Sequence, residues 1–342
     1  MARVVGGGGA AALGADYPDR CISAGAAAAA RGSAVTGAGA PDLPTFARGL
    51  SFLDAKVGRR DADIVVAGVP MDWATTNRAG TREGPNALRL ASRLLHDGAH
   101  PVTGADPRTL DLSDIGNFDV RIGDIAESHR LIEAQAKGLK HLCALGGDHS
   151  IALPLLRVLA QVHGPLGLVQ FDAHTDTWAA NFGQDLAHGT PFFHAIEEGL
   201  IDPKRCIQIG IRAPMEKRFM DQARELGISI WPAEDVHIRG VVSAVQAIAE
   251  VVGTEPTYLS FDIDGLDPAY APGTGTPEIG GLHTWQARYL LRGLAEIDFV
   301  GMDLVEVSPP HDHAEITALA GATMVWEYLC LQAGRKKAGL GA

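Results

Sequence analysis

The chain has 342 residues, 46% of them hydrophobic and 20% charged, and a formal net charge of −12. No apolar run reaches the roughly 18–20 residues that cross a bilayer, and an acidic balance argues against a nucleic-acid partner, whose phosphates call for a basic face. Cys21, Cys143, Cys206 and Cys330 form no CxxC pair, so they read as free thiols of a reducing, cytoplasmic compartment rather than a zinc or redox motif.

Residues 1–44 are rich in Gly, Ala and Ser, with no periodic apolar face, and are expected to be a disordered arm. "VVGGGGAAALGA" is too glycine-rich for a secretory core, and Asp16, Asp19 and the scarcity of arginine speak against a transit peptide. Residues 45–342 are expected to form a single catalytic domain. From about residue 61 short β-branched runs alternate with amphipathic ones. The strand candidates are "DIVVAGV", "TLDLSDI", "HLCALGG", "LGLVQFD", "CIQIGI", "ISIWPA", "TYLSFDID" and "FVGMDLVE". Helical stretches include "ESHRLIEAQAKGL", "IALPLLRVLAQVHG", "KRFMDQAREL" and "VVSAVQAIAEVV". This alternation predicts an α/β fold, a three-layer α/β/α sandwich around a parallel sheet of roughly eight strands. "VVAGVPMDWATT" lacks the GxGxxG turn of a dinucleotide-binding first strand.

Polar residues gather where strands end, which is where open parallel sheets build their sites. "HLCALGG" runs into Asp148 and His149, "LGLVQF" into Asp172, His174 and Asp176, "TYLSF" into Asp262 and Asp264, and "FVGMDLV" into Glu306. Side chains at i, i+2 and i+4 of extended chain share a face. So many carboxylates on one rim repel unless cations join them, and two divalent ions would balance four aspartates. Mixed carboxylate and imidazole donors suit Mn²⁺, Fe²⁺, Co²⁺ or Ni²⁺, and the lack of thiolates disfavours structural zinc. Any one of these motifs is weak alone; together they point to a binuclear metal hydrolase that activates water.

The pieces "GVPMDWATTNRAGTREGPNALR", "GGDHS", "DAHTDT", "HGTPF", "SFDIDGLDPAYAPGTGTPEIGGL" and "GMDLVEVSPPHDHAEITALA" resemble the ureohydrolases, the family of arginases and agmatinases, and look closest to agmatinases. The resemblance covers nearly all of residues 61–334 and implies an arginase-like fold. It implies two divalent metals per chain, Mn²⁺ first and Ni²⁺ as the alternative. His149 and Asp176 would bind one, His174 and Asp264 the other, and Asp172 and Asp262 would bridge them. Asp176 would also orient the attacking water, His188 would shuttle protons, and Glu306 would grip the guanidinium of a small guanidino substrate, giving urea and an amine. Asp267 would support the metal strand, and Trp178 would wall the pocket. The family's habit implies a homo-oligomer, a trimer or hexamer. A non-catalytic subunit of a mixed oligomer is the alternative, but it would lack ligands that are all present here.

The substrate is less legible. Some relatives acting on guanidino acids carry arginine after "HGTPF", where this chain has Phe193. That favours agmatine over 4-guanidinobutyrate, with guanidine, alkylguanidines and biguanides as alternatives. His311 stands where a tyrosine is common, and Trp73 and Asn77 lie in a loop expected near the pocket mouth. Phe193 and His311 are therefore expected to touch the substrate.

Overall fold

The structure is a computed structural model that describes residues 49–340. The arm expected at 1–44 lies outside the described residues. Strands β1 (Lys56–Val57), β2 (Ile64–Val69), β3 (Leu112–Asn117), β4 (Leu142–Gly146), β5 (Leu166–Phe171), β6 (Ile201–Ile211), β7 (Ser229–Pro232), β8 (Thr257–Asp262) and β9 (Phe299–Val305) make one sheet. Every pairing is parallel, and the order is β1-β3-β2-β4-β9-β8-β5-β6-β7.

The helices are α1 (Gly84–Ser92), α2 (Ile125–Ala136), α3 (Ala152–His163), α4 (Pro191–Glu197), α5 (Lys217–Glu225), α6 (Ala233–Arg239), α7 (Val241–Val252), α8 (Thr284–Gly293) and α9 (Ile316–Ala338). Period-two alternation splits the strand residues between two cores. Val66, Leu145, Phe171 and Phe261 pack with α1 and α6–α9 on one face. Val65, Ala144, Leu168 and Tyr258 face α2, α3 and α4 on the other. Both faces are covered, which is why the strands read as continuous apolar runs and why the architecture is the expected α/β/α sandwich.

The eight expected strands are present, and β1 is a ninth. Its two residues, both exposed, lie at the sheet edge and are too short to carry a pattern. β6 starts at Ile201, ahead of "CIQIGI", and a break in its ladder between Leu166 and Leu168 accommodates Pro203, which has no N–H to give. The 23-residue α9 is buried around most of its circumference and lies against α1 and α8. A helix apolar on all sides shows no amphipathic stripe to read.

Leu145, Leu304, Phe261 and Phe171 lie in register across the adjacent strands β4, β9, β8 and β5. The residues just beyond them leave the sheet together. The close fit of this rim demands Gly147, where a Cβ would come within 1.9 Å of the Met71 carbonyl oxygen.

Candidate active site

Two groups of potential ligands share this rim. One holds His149, Asp172, Asp176 and Asp262, and the other Asp172, His174 and Asp264, with the donor atoms of each group within 4.8 Å of one another. His149 Nδ1 lies 3.3 Å from Asp172 Oδ2, 2.9 Å from Asp176 Oδ2 and 3.3 Å from Asp262 Oδ2. His174 Nδ1 lies 3.1 Å from Asp264 Oδ2 and 3.5 Å from Asp172 Oδ1. Asp172 therefore turns one oxygen to each group. Asp262 falls only in the first group, whereas the resemblance implied that it spans both.

A buried scaffold aims these donors. Ser260 Oγ donates to Asp303 Oδ1 at 2.7 Å, so it can only accept from His149 Nε2, also at 2.7 Å. That places the proton on Nε2 and the lone pair on Nδ1, facing the carboxylates. Tyr258 donates to the other Asp303 oxygen at 2.8 Å. Gln170 Nε2 donates to Asp172 Oδ2 at 2.7 Å, the Asp264 N–H to Asp262 Oδ1 at 2.8 Å, and the Ala173 N–H to Asp264 Oδ1 at 3.0 Å. The Arg212 guanidinium donates to the carbonyls of Gly210 at 3.1 Å, Asp264 at 2.7 Å, Leu266 at 3.1 Å and Glu278 at 2.7 Å, tying metal strand to long loop. Asp267 accepts from the N–H groups of Ala269, Gly280 and Gly281 and stitches the same loop.

Sequence reasoning missed Gln170, Ser260, Asp303 and Arg212. A signal existed for two of them: Gln170 and Ser260 are polar residues inside apolar strands, two positions before Asp172 and Asp262 and so on the same face.

The donor set fits divalent cations. His149 Nδ1 is buried with no hydrogen-bond partner, against three carboxylate oxygens. With Nδ1 unprotonated that arrangement is repulsive unless a cation joins it. Burial and then the Asp172 charge push the Asp176 carboxyl up to about 6, and burial and then Asp264 push Asp262 well above the usual carboxylate range. Burial opposes charge on His149 and His174 as well, yet the surrounding carboxylates raise both well above the ordinary imidazole value.

Beside this cluster stand Glu306 and His188. Glu306 (φ 62°) and Asp176 (φ 50°) both adopt the left-handed region that favours glycine, a strain typical of functional turns. Glu306 Oε1 accepts from the His149 backbone N–H at 2.9 Å and lies 3.0 Å from His188 Nδ1. Glu306 Oε2 is buried and has no partner. His188 Nε2 lies 2.8 Å from Thr76 Oγ1. Burial disfavours a charge on His188, but the Glu306 carboxylate outweighs it and raises the imidazole to about 9.

The remaining candidates separate. The half-buried Trp178 ring lies over Gly189, where a Cβ would sit 2.8 Å from Trp178 Cε3, and meets Phe219 edge-on at 5.7 Å. Phe192, not Phe193, lies against His149, with ring centroids 5.2 Å apart. Phe193 is half-buried, its ring 5.4 Å from that of His194. His311 is exposed, and its Nε2 lies 3.2 Å from the Ala79 carbonyl oxygen. Asn77 Nδ2 donates to the Gly275 carbonyl at 3.0 Å. Asp148 accepts from the N–H groups of Ala74 and Ser150, a supporting contact. A separate 280 Å³ cavity lined by Leu53, His96, Arg108 and Trp326 shares no residue with the cluster and offers no comparable set of donors.

A sheet of this order with two acid and imidazole clusters at its carboxyl rim defines a hydrolase built for divalent metals. The arginase family model matches residues 62–330, and the chain belongs to the arginase family. It is an amidinohydrolase, a ureohydrolase of guanidino compounds, whose family fold implies a binuclear divalent-metal site. It is 46% identical to an agmatinase of Proteus mirabilis over 282 residues, 81% of this chain and 89% of that one. It is equally 46% identical to a guanidinopropionase of Pseudomonas aeruginosa over 298 residues, 85% of this chain and 92% of that one. The solved structure of a hypothetical agmatinase from Burkholderia thailandensis matches with a TM-score of 0.80 at 42% identity, covering 86% of this chain and 93% of that one. No helix among the described residues is long and apolar enough to cross a membrane.

Proposed function

We propose that the chain hydrolyses agmatine to putrescine and urea. The observation that carries this reading is the unpartnered, buried Glu306 Oε2 beside the ligand cluster. A planar guanidinium supplies the N–H donors this oxygen lacks, in a charge-assisted contact. His149, Asp172, Asp176 and Asp262 would hold one metal, and Asp172, His174 and Asp264 the other. When bound, two divalent ions, Mn²⁺ first and Ni²⁺ as the alternative, supply an activated water and offset the carboxylate charge.

The chain's own groups do the rest. Glu306 fixes the plane of the guanidinium, so that its carbon is presented in one orientation. Asp176, held in its left-handed turn, accepts a hydrogen bond from the attacking water. His188 is protonated at neutral pH and releases the Nδ1 proton to the amine as the C–N bond breaks. A cationic tail suits the net charge of −12 and Glu278, whose carboxylate lies 3.9 Å from His174 Nε2. The same reading places the protein in the cytoplasm as a homo-oligomer, a trimer or hexamer.

A second reading, a guanidino acid as substrate, is favoured by the equal identity to the guanidinopropionase. Urea release should be measured with Mn²⁺ and with Ni²⁺ on agmatine, guanidinopropionate, 4-guanidinobutyrate, guanidine, dimethylguanidine and metformin. Agmatine should give the highest kcat/KM; an acid leading the panel replaces the first reading with the second.

A further inference from the structure

Trp73 to Gly80 form a strap that the reaction above leaves without a task. It is pinned along its length. The Ala74 carbonyl accepts from the His188 N–H at 3.1 Å, and the Ala74 N–H donates to Asp148 Oδ2 at 3.2 Å. Asn77 holds the Gly275 carbonyl, Asp72 Oδ2 accepts from the Gly80 N–H at 2.9 Å, and His311 Nε2 meets the Ala79 carbonyl. From this fixed strap Thr76 sends its hydroxyl to His188 Nε2, 2.8 Å away. The ring is thereby held at both nitrogens, Nδ1 by Glu306 and Nε2 by Thr76.

We infer that Thr76 is a positioning residue for His188: its hydroxyl accepts from Nε2–H and keeps Nδ1 aimed at Glu306 and the leaving amine. The inference rests on the reading of His188 as proton donor. With Nε2–H anchored, proton traffic is confined to Nδ1. That atom gives its proton to the departing amine and takes one from the next water to enter, so the cycle balances with Nε2–H unchanged. A hydroxyl suits this task because its oxygen accepts from Nε2–H while its own proton can turn to solvent at the exposed end of the strap.

The test compares Thr76→Val, Thr76→Ser and His188→Asn in the metal-loaded enzyme. Thr76→Val should lower kcat roughly 10-fold, the loss of one hydrogen bond to a charged group, with KM within about twofold, since no ground-state contact to substrate is removed. Thr76→Ser should restore kcat. Unchanged kcat in Thr76→Val, a rise confined to KM, or equal impairment in Thr76→Ser would each overturn the inference. If Thr76→Val fails to fold, Thr76→Ala carries the same comparison with Ser. Near-normal activity in His188→Asn would instead overturn the proton-donor reading, and the inference with it. An inactive His188→Asn beside a normal Thr76→Val overturns the inference alone.

Discussion

Glu306 has one oxygen committed to the protein and one left over, and this division allows a clean test. Glu306→Gln keeps the shape but replaces a charged acceptor with a neutral amide. Losing charge-assisted contacts to a guanidinium should cost roughly 100-fold in kcat/KM. Metal content should stay at the wild-type value, because Glu306 belongs to neither ligand group. Metal analysis beside kinetics checks both halves, and a variant that loses its metals would show Glu306 to be structural. His188 sets a pH limit. Its folded-state pKa is raised from 6.5 to about 9, by a carboxylate that outweighs burial. The proton to be donated is therefore in place through neutral pH, and kcat should fall as pH rises through about 9. The sign for stability is the same: the pair's contribution is full below the unfolded value and is lost as pH rises through the folded one. A rate that climbs through that range would contradict the assignment.

At the scale of elements, α1 is fastened to β3 by a buried ion pair. Arg89 Nε and a terminal nitrogen donate to the two Asp114 oxygens at 2.7 and 3.0 Å, and Asp114 also accepts from the Phe52 N–H at 2.8 Å. Removing one partner strands the other charge in the core, so Asp114→Ala should destabilise the fold by about 3–5 kcal/mol in denaturant titration. A loss below about 1 kcal/mol would place this pair with surface salt bridges.

The elements also show what the sequence could and could not tell. Strands buried on both faces were legible because their apolar runs are continuous, and the candidate donor cluster because its residues alternate just past those runs. β1 and α9 were not, one too short and the other apolar on every side. Phe193 was expected at the substrate from the HGTPF motif, and a helix begins inside that motif. α4 starts at Pro191, and successive residues on a helix point about 100° apart, so Phe192, against His149, and Phe193 face different directions. His311 lies in a loop whose direction is set by its partners, here the strap carbonyl of Ala79, which motif spacing does not encode. How the candidate donors divide into groups depends on ångström-scale placement that spacing does not encode.

At the scale of the molecule, His129 makes the fold acid-sensitive. It is 1% exposed, and burial followed by the Arg157 charge lowers its pKa from 6.5 to about 3. The unfolded chain binds this proton more readily, so stability is full above the unfolded value and declines as pH falls toward the folded one. The full span corresponds to as much as about 5 kcal/mol. His129→Met should flatten this part of the acid limb in thermal unfolding between pH 6.5 and 4. A wild-type curve that the variant reproduces would assign the acid limb to other groups instead, His141, which burial lowers to about 4, and the carboxylates.

The strand order has a consequence for how the protein is made. β8 and β9 lie between β4 and β5 in the sheet, although the chain writes them last. As synthesis proceeds, β4 and β5 leave the ribosome without the neighbours that will separate them; the inner edge of β5 stays open until β8 has emerged, and that of β4 until β9 has. Neither ligand group can be held in place by half of the chain. A nascent chain stalled before β8 would present two unpaired apolar edges, the kind of surface that recruits other strands. The arrangement that gathers the candidate site at one rim also delays its completion until every strand of the sheet has been made.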